Sequence, residues 1–383
     1  MQFHYFDTEA FLRDHWQKRP LLIRNPWQAW QNPITPDELA GLACEDHVEA
    51  RLITRKRRDW AVEQGPFEEP RFERLGKLPS TLLVQAVDHH VPEVAALIEP
   101  FRFIPNWRID DVMVSYATDQ GGVGAHFDHY DVFLIQGLGK RLWQLGQHCD
   151  QTTPLLAHDE LRLLADFQVA EEWVLEPGDI LYVPPGLAHN GVAVGDDCMT
   201  YSVGFRAPSR SELIAHWCDA LLDDLGDDDR YRDTAGPALA NPGEISAEAI
   251  STLHAMVTEK LRDPDAFARW FGGYISTRRY PDIDWSPDVP IDDAGLAALA
   301  ADDVVLSRNP ASRFSYVEQG QENVLLFVNG TCHACSGSAA AFARTLCAQS
   351  VTPVEPQWTR LPDVVPVIAA LYNAGAITFD RED

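Results

Sequence analysis

The sequence predicts an α+β chain: a β-sheet barrel or sandwich between about residues 108 and 206, then a helical unit, then a small α/β module of winged-helix type. Three observations predict it. Between 108 and 206 the runs DDVMVSYAT, YDVFLIQGLG, KRLWQLGQ, EEWVLEPGDILYVPPG and MTYSVGF are short, rich in β-branched and aromatic residues, and separated by Gly, Pro, Asn and Asp, as in sandwiches and barrels. From Ser209 the apolar residues recur every three or four positions, as on one face of a helix. Beyond the linker RRYPDIDWSPDVP, short strand-like and helix-like runs surround Asn329-Gly330, a two-residue hairpin signal.

Taken in order, the first hundred residues alternate helix-like runs (FLRDHWQKRP, TPDELAGLACED) with strand-like ones (LLIRN, VEARLIT). Thr35 and Asp37 flank Pro36, which suits the first turn of a helix. After the β-rich region, SRSELIAHWCDALLDDL lines up Leu213, Trp217, Ala220 and Leu221, and an acidic Pro/Gly-rich loop follows. Ser246 is placed to cap SAEAISTLHAMVTEKLRD, whose Ile250, Leu253, Val257 and Leu261 share a face. DAFARWFGGYIS adds exposed-looking aromatics, and such a surface suits a subunit interface as well as ordinary core burial. The last region reads helix (DAGLAALAAD), three strands (VVLSR, RFSYVEQ, VLLFV), the Asn-Gly turn, helices AAAFARTLC and LPDVVPVIAALYNAG, and a final strand AITF.

Composition narrows the function classes. A formal charge of −27 over 383 residues disfavours a nucleic-acid-binding surface, which needs surplus Lys and Arg; it suits a basic partner, and equally plain solubility. Seven cysteines, an odd and scattered set, read as reduced thiols. No apolar run is long enough to span a bilayer, and the first residues lack the layout of a secretion signal, so the expected location is the cytoplasm.

The chemistry-bearing stretch is GGVGAHFDHYDVFLIQGLGKRLWQLG, residues 121–146. In an extended segment a His-x-Asp/Glu pair points both side chains to one face. The spacing occurs five times: His47/Glu49, His126/Asp128, His129/Asp131, His148/Asp150 and His158/Glu160. The glycines at 121, 122 and 124 free the backbone just ahead of His126, which favours that pair. A third ligand is supplied by PGDILYVPPGLAHNG, which matches the second cupin signature through Gly178, Pro184, Gly186 and His189; Ala193 stands where that signature usually has Asn. Two histidines and a carboxylate on one side of a metal form the facial triad of non-haem Fe(II) oxygenases. The same trio with a water suits catalytic zinc.

Iron of this kind takes electrons from a 2-oxo acid, usually 2-oxoglutarate, whose distal carboxylate needs a fixed cation. Arg141 or Lys140 lies at a suitable remove beyond a Gly137-Leu138-Gly139 turn, and the planar fork of arginine fits better. Ser115 is placed to add a hydroxyl donor. Cys332 and Cys335 form a lone C-x-x-C after the hairpin turn, with no second pair for a zinc site.

On HWQKRP, ITPDELAGLA, LLVQAV, WRIDD, GGVGAHFDHYDVFLIQG, EPGDILYVPPGLAHNG and YSVGFRAP the chain resembles the JmjC-type 2-oxoglutarate oxygenases, and within them the bacterial ribosomal oxygenases. The resemblance implies a double-stranded β-helix (cupin/jelly-roll) JmjC catalytic domain over 1–208, a helical dimerisation domain over 209–285 and a winged-helix-like domain over 286–383. It implies Fe(II) on His126, Asp128 and His189, with Arg141 and Ser115 holding 2-oxoglutarate. The implied reaction uses O2 to hydroxylate an arginine of a basic large-subunit ribosomal protein, protein sixteen, in a homodimer without direct nucleic-acid contact. Two other readings stand beside it: the same chemistry on a histidine, another protein or a small molecule, and a non-catalytic cupin-fold metal-binding scaffold. A buried arginine facing the metal argues against the scaffold.

Overall fold

The expected barrel is present, and it draws further strands from the first hundred residues. The computed structural model describes residues 2–57, 59–75, 78–223, 225–233, 241–292, 295–296, 304–353 and 358–381. They fall into two units, residues 1–207 with 309–311, and residues 208–308 with 312–383.

In the first unit, Asp7 caps α1 (Thr8–Asp14) and Thr35 caps α2 (Pro36–Leu42), the latter through a reciprocal Thr35–Glu38 capping box with Pro36 in the first turn. Among the described residues nine strands follow the order of the chain: β1 Leu21–Ile23, β2 Ala50–Lys56, β3 Asp59–Gln64, β4 Ser80–Val84, β5 Ile109–Ala117, β6 Asp131–His148, β7 Glu171–Leu175, β8 Ile180–Val183 and β9 Leu187–Phe205. They pair in the order β1-β8-β6-β9-β5-β4-β2-β3, with β7 beside β6. Strands β3 and β4 and the short helices α3 (Pro70–Glu73) and α4 (Pro92–Ala95) complete this unit.

The Gly137-Leu138-Gly139 turn expected from sequence is not a turn. Strand β6 continues through it, paired with β9, and its register slips between Gln136 and Leu138 and again between Leu138 and Lys140. The first slip leaves one extra residue on β6, a bulge that bends a strand without ending it, and the second sets two residues of β6 against five of β9. Glycine is needed there: Gly139 has φ +60°, and a side chain on Gly137 would meet the Tyr201 ring.

Inward residues of β6, β8 and β9, among them Phe133, Ile135, Tyr182, Tyr201 and Phe205, pack with Phe11 and Phe101 in one core. Within it Asp131, fully buried, accepts from the Tyr182 hydroxyl at 2.6 Å, Gln17 Nε2 at 3.0 Å and Arg108 Nη2 at 3.0 Å. Three donors converge on one carboxylate, and its charge offsets the shielded guanidinium. Asp131→Asn is therefore expected to cost about 3 kcal/mol or more of stability, because it leaves a buried cation uncompensated; urea denaturation at neutral pH measures this, and an unchanged midpoint contradicts it.

The second unit begins with α5 (Arg210–Asp223), α6 (Ala247–Leu261) and α7 (Pro264–Ser276). Ser246 caps α6 as expected, its Oγ accepting from Ala249 N at 3.1 Å. Of the α5 stripe only Trp217 is buried, and it packs against Phe267 and Trp270 of α7. The α7 aromatics are half-buried rather than exposed, because they stack on one another and on Trp217. The α6 residues Ile250, Leu253, Val257 and Leu261 are exposed.

Strands β10 (Val304–Arg308), β11 (Phe314–Glu318), β12 (Asn323–Val328), β13 (Thr331–Ser336), β14 (Val351–Pro353) and β15 (Ile377–Arg381), with helices α8 (Gly337–Ala348) and α9 (Val365–Asn373), form the rest. Asn329 and Gly330 both have positive φ and join β12 to β13, as a tight hairpin requires. The helix expected at DAGLAALAAD lies mostly outside the described residues, as does part of the acidic loop before α6. No described helix is long and apolar enough to cross a membrane.

Candidate metal centre

Convergence of the three candidate ligands starts from backbone pairing. His126 does not lie on a regular strand, as the alternation argument assumed; it forms an isolated antiparallel bridge with His189, the third residue of β9. His126 N donates to His189 O at 3.0 Å and His189 N to His126 O at 2.8 Å. The glycines ahead of it permit this approach. A side chain on Gly122 would strike the Gly191 carbonyl, and Gly124 adopts φ +84°.

The ring nitrogens are then oriented from the backbone. Nδ1 of His126 lies 2.9 Å from Gly124 O, and Nδ1 of His189 lies 3.0 Å from Leu187 O. A ring hydrogen on each Nδ1 leaves both Nε2 lone pairs free to bind a metal. Asp128 Oδ2 lies 4.0 Å from His126 Nε2 and 3.5 Å from His189 Nε2, and one ligand atom from each of the three lies within 4.8 Å of the others. The 3.5 and 4.0 Å separations lie within the span of about 4.4 Å that two bonds of about 2.2 Å to one ion allow.

The other four pairs do not converge. Asp131 serves the core network while His129 is exposed, His148 ends β6 beside a turn that Asp150 caps, His47 packs at a tilt against His90, and His158 caps a loop. Lys140 and Arg141 also separate. Lys140 points outward to Glu176 at 2.6 Å, whereas Arg141 is 4% exposed.

Arg141 sits in a polar chain that sequence reasoning missed apart from its two ends. Ser115 Oγ donates to Thr200 O at 3.4 Å, Thr200 Oγ1 to Gln136 Oε1 at 3.4 Å, Gln136 Nε2 to Cys198 Sγ at 3.5 Å, and Arg141 Nε to the same sulfur at 3.4 Å. The Arg141 guanidinium lies over the Trp143 ring at 5.7 Å, and that ring is 6.0 Å from His189. Among the described residues its Nη2 is buried without a hydrogen-bond partner. Tyr130 was missed too: shielding of its hydroxyl and the carboxylates of Asp128, Asp111 and Asp110 push its phenol up. Only its sequence proximity to Asp128 could have flagged it. Cys332 is exposed and Cys335 buried, three residues apart on β13, so this pair does not converge on a metal.

Comparison with known proteins extends this geometry. The JmjC domain family matches residues 96–213 and the ROXA-like winged helix family residues 259–378. The ribosomal protein uL16 3-hydroxylase of Escherichia coli (strain K12) is 42% identical over 286 residues, 73% of this chain and 74% of that protein. The chain belongs to the JmjC ribosomal oxygenases. A probable ribosomal oxygenase of Haemophilus influenzae is 36% identical, over 82% of this chain and 80% of that protein. The X-ray structure of E. coli YcfD superposes with a TM-score of 0.90 at 35% identity, covering 99% of this chain and all of the other. A YcfD structure in complex with cobalt and 2-oxoglutarate superposes at 0.86 with 36% identity, over 99% of each chain.

JmjC oxygenases use Fe(II) and 2-oxoglutarate, and the residues of this JmjC ribosomal oxygenase fit both. Two imidazoles and one carboxylate match the donor set of non-haem Fe(II) sites. A buried guanidinium nitrogen without a partner matches a diacid's distal carboxylate.

Burial, then the neighbouring His126, hold the His189 imidazole down at about 4, with Asp128 opposing. Its folded value lies below the unfolded value of 6.5, so the unfolded state binds the proton first. The contribution of this group is complete above about pH 6.5 and is lost as pH falls toward 4. Metal-free protein is expected to lose on the order of 1 to 2 kcal/mol through His189 between pH 7 and 5. Urea midpoints measure it, and His189→Asn is expected to flatten the slope; equal slopes in the two proteins contradict it.

Proposed function

We propose that this protein is an Fe(II)- and 2-oxoglutarate-dependent hydroxylase acting on an arginine residue of a large-subunit ribosomal protein. The observation that carries the oxygenase reading is the three-donor cluster of His126, Asp128 and His189, with the buried, unpartnered Arg141 nitrogen beside the same barrel wall. The chemistry supplied at this site when metal and co-substrate are bound is insertion of one atom of O2 into a C–H bond, with 2-oxoglutarate converted to succinate and carbon dioxide.

The chain's own residues account for the rest. His126, Asp128 and His189 take one side of the metal and leave the other positions open. Arg141 offers a planar fork to the distal carboxylate, with Ser115 on the polar chain leading to it. Trp143, almost fully buried, lies 5.7 Å from the Arg141 guanidinium and 6.0 Å from the His189 ring and so links the proposed diacid and metal positions through one apolar side chain. The net charge of −27 favours encounter with a basic ribosomal protein. The relative named as a uL16 3-hydroxylase supports uL16 as the target.

The three-part division at 1–208, 209–285 and 286–383 belongs to this reading. The exposed stripe Ile250, Leu253, Val257 and Leu261 on α6 supports residues 209–285 as a homodimer contact, since such a stripe is costly facing water.

Mass spectrometry of ribosomal proteins from cells with and without the gene tests the target. A mass gain of one oxygen on an arginine of uL16 is expected in the parent and absent from the deletion. If uL16 is unchanged and another protein loses the modification, the target reading is wrong while the chemistry stands.

A further inference from the structure

One His-x-acid pair outside the metal cluster, His158/Glu160, lies in a loop that touches the lead-in to the first ligand. Residues 154–165, between β6 and β7, close on themselves: Leu156 N donates to Leu163 O at 2.8 Å, Ala165 N to Pro154 O at 3.0 Å, and Leu155 bridges Leu164. Compact loops whose ends meet are frequently functional. His158 Nδ1 accepts from Glu160 N at 3.1 Å and Leu161 N at 3.0 Å. Its ring hydrogen is therefore on Nε2, which faces Trp60 O at 3.4 Å. An imidazole here does what an Asx side chain does in a turn, satisfying backbone donors two and three residues on.

The cap sends Leu161 and Leu163 into a cluster with Ile53, Leu83, Trp60 and Val62. Leu163 Cδ2 then lies 2.6 Å from the point a Cβ of Gly124 would occupy, and Leu164 N donates to Ala125 O at 2.9 Å. Residues 124–126 are thus gripped twice, by this loop and by the His126–His189 bridge. The grip fixes Gly124 O, the acceptor that orients Nδ1 of His126.

We propose that His158 is a positioning residue for His126, acting through the 154–165 loop to hold the ligand's imidazole at its metal-binding angle. The proposal rests on the reading of His126 as a ligand. Outer partners that orient a ligand typically change metal affinity by about 10- to 100-fold when lost.

The test is Mn(II) affinity of the full chain by calorimetry at one pH, with amide hydrogen exchange, for His158→Ala, His158→Asn and His126→Ala. His158→Ala is expected to weaken Mn(II) about tenfold and to speed exchange at Leu164 and His126, while exchange in β5 and β8 stays at the parent rate. His158→Asn keeps an acceptor where Nδ1 stood, so it is expected to restore affinity to within about threefold of the parent. Faster exchange at Leu164 with unchanged Mn(II) affinity overturns the proposal, because the loop would then be uncoupled from the ligand. Equal weakening in the Ala and Asn variants also overturns it, since the cap would not be the cause. Unchanged affinity in His126→Ala refutes the ligand reading itself and is distinguished from both.

Discussion

Exchange of Asp128 for alanine is expected to abolish 2-oxoglutarate turnover, by about 10³-fold or more, while the chain stays folded. A metal that polarises bound oxygen ligands lowers a reaction barrier by several kcal/mol, and each 1.36 kcal/mol is tenfold in rate. Two imidazoles without the carboxylate hold such an ion weakly and neutralise none of its charge. The fold has little stake in the side chain. The Asp128 carboxylate is about one-fifth exposed and meets the hydroxyl of the partly exposed Tyr130, while its backbone oxygen accepts from Gly186 N at 2.7 Å. Substitutions away from cores and networks usually fall within about 0.5 kcal/mol. Succinate release and the urea midpoint are the paired measurements. A collapsed midpoint with Asp128→Ala would make the metal structural and return the scaffold reading.

The residues that meet at this centre were legible because they obey local rules. The Pro-Pro-Gly corner before His189 and the glycines before His126 are backbone requirements, and backbone requirements are written in residue types: Gly186 has φ +76° and Gly124 φ +84°. The Thr35 and Ser246 caps and the Asn329-Gly330 hairpin were legible for the same reason. What sequence patterns did not reveal depends on register. The chain from Ser115 to Arg141 needs Gln136, Thr200 and Cys198 on neighbouring strands, and the irregular pairing of β6 with β9 between Gln136 and Lys140 decides which of them meet. A bulge shifts every later pairing by one residue. The glycine pair that made β6 look like two strands joined by a turn is the signature of that irregularity. Likewise TCHACS, which carries Cys332 and Cys335, has too little apolar alternation to read as strand, yet its pairing with β12 makes it one and sends the two thiols to opposite faces.

Replacing Arg141 by methionine is expected to move two observables in opposite directions. Among the described residues its Nη2 is buried without a hydrogen-bond partner, its Nε reaches the weak acceptor Cys198 Sγ at 3.4 Å, and Trp143 supplies a cation–π contact at 5.7 Å. Replacing buried charge with an apolar side chain of similar volume is often neutral or stabilising by about 1–4 kcal/mol. The methionine variant is therefore expected to denature at the same or higher urea concentration than the parent when no ligand is present. With 2-oxoglutarate the order reverses. A ligand that binds only the native state stabilises by about 2.7 kcal/mol at a hundred times its dissociation constant, and the parent is expected to show that gain. On the proposed role of Arg141 the variant lacks the cation for the distal carboxylate, and truncating one partner of a buried charge pair costs roughly 2 to 5 kcal/mol. Its response to 2-oxoglutarate is expected to vanish at concentrations that saturate the parent. Arg141→Lys keeps the charge without the fork and should retain a fraction of the response. If methionine destabilises the free protein and leaves the ligand response intact, Arg141 is a structural cation and the diacid docks elsewhere. The opposite signs matter because a group kept for packing is missed most in the empty protein, whereas a group kept for an anion is missed only when the anion arrives.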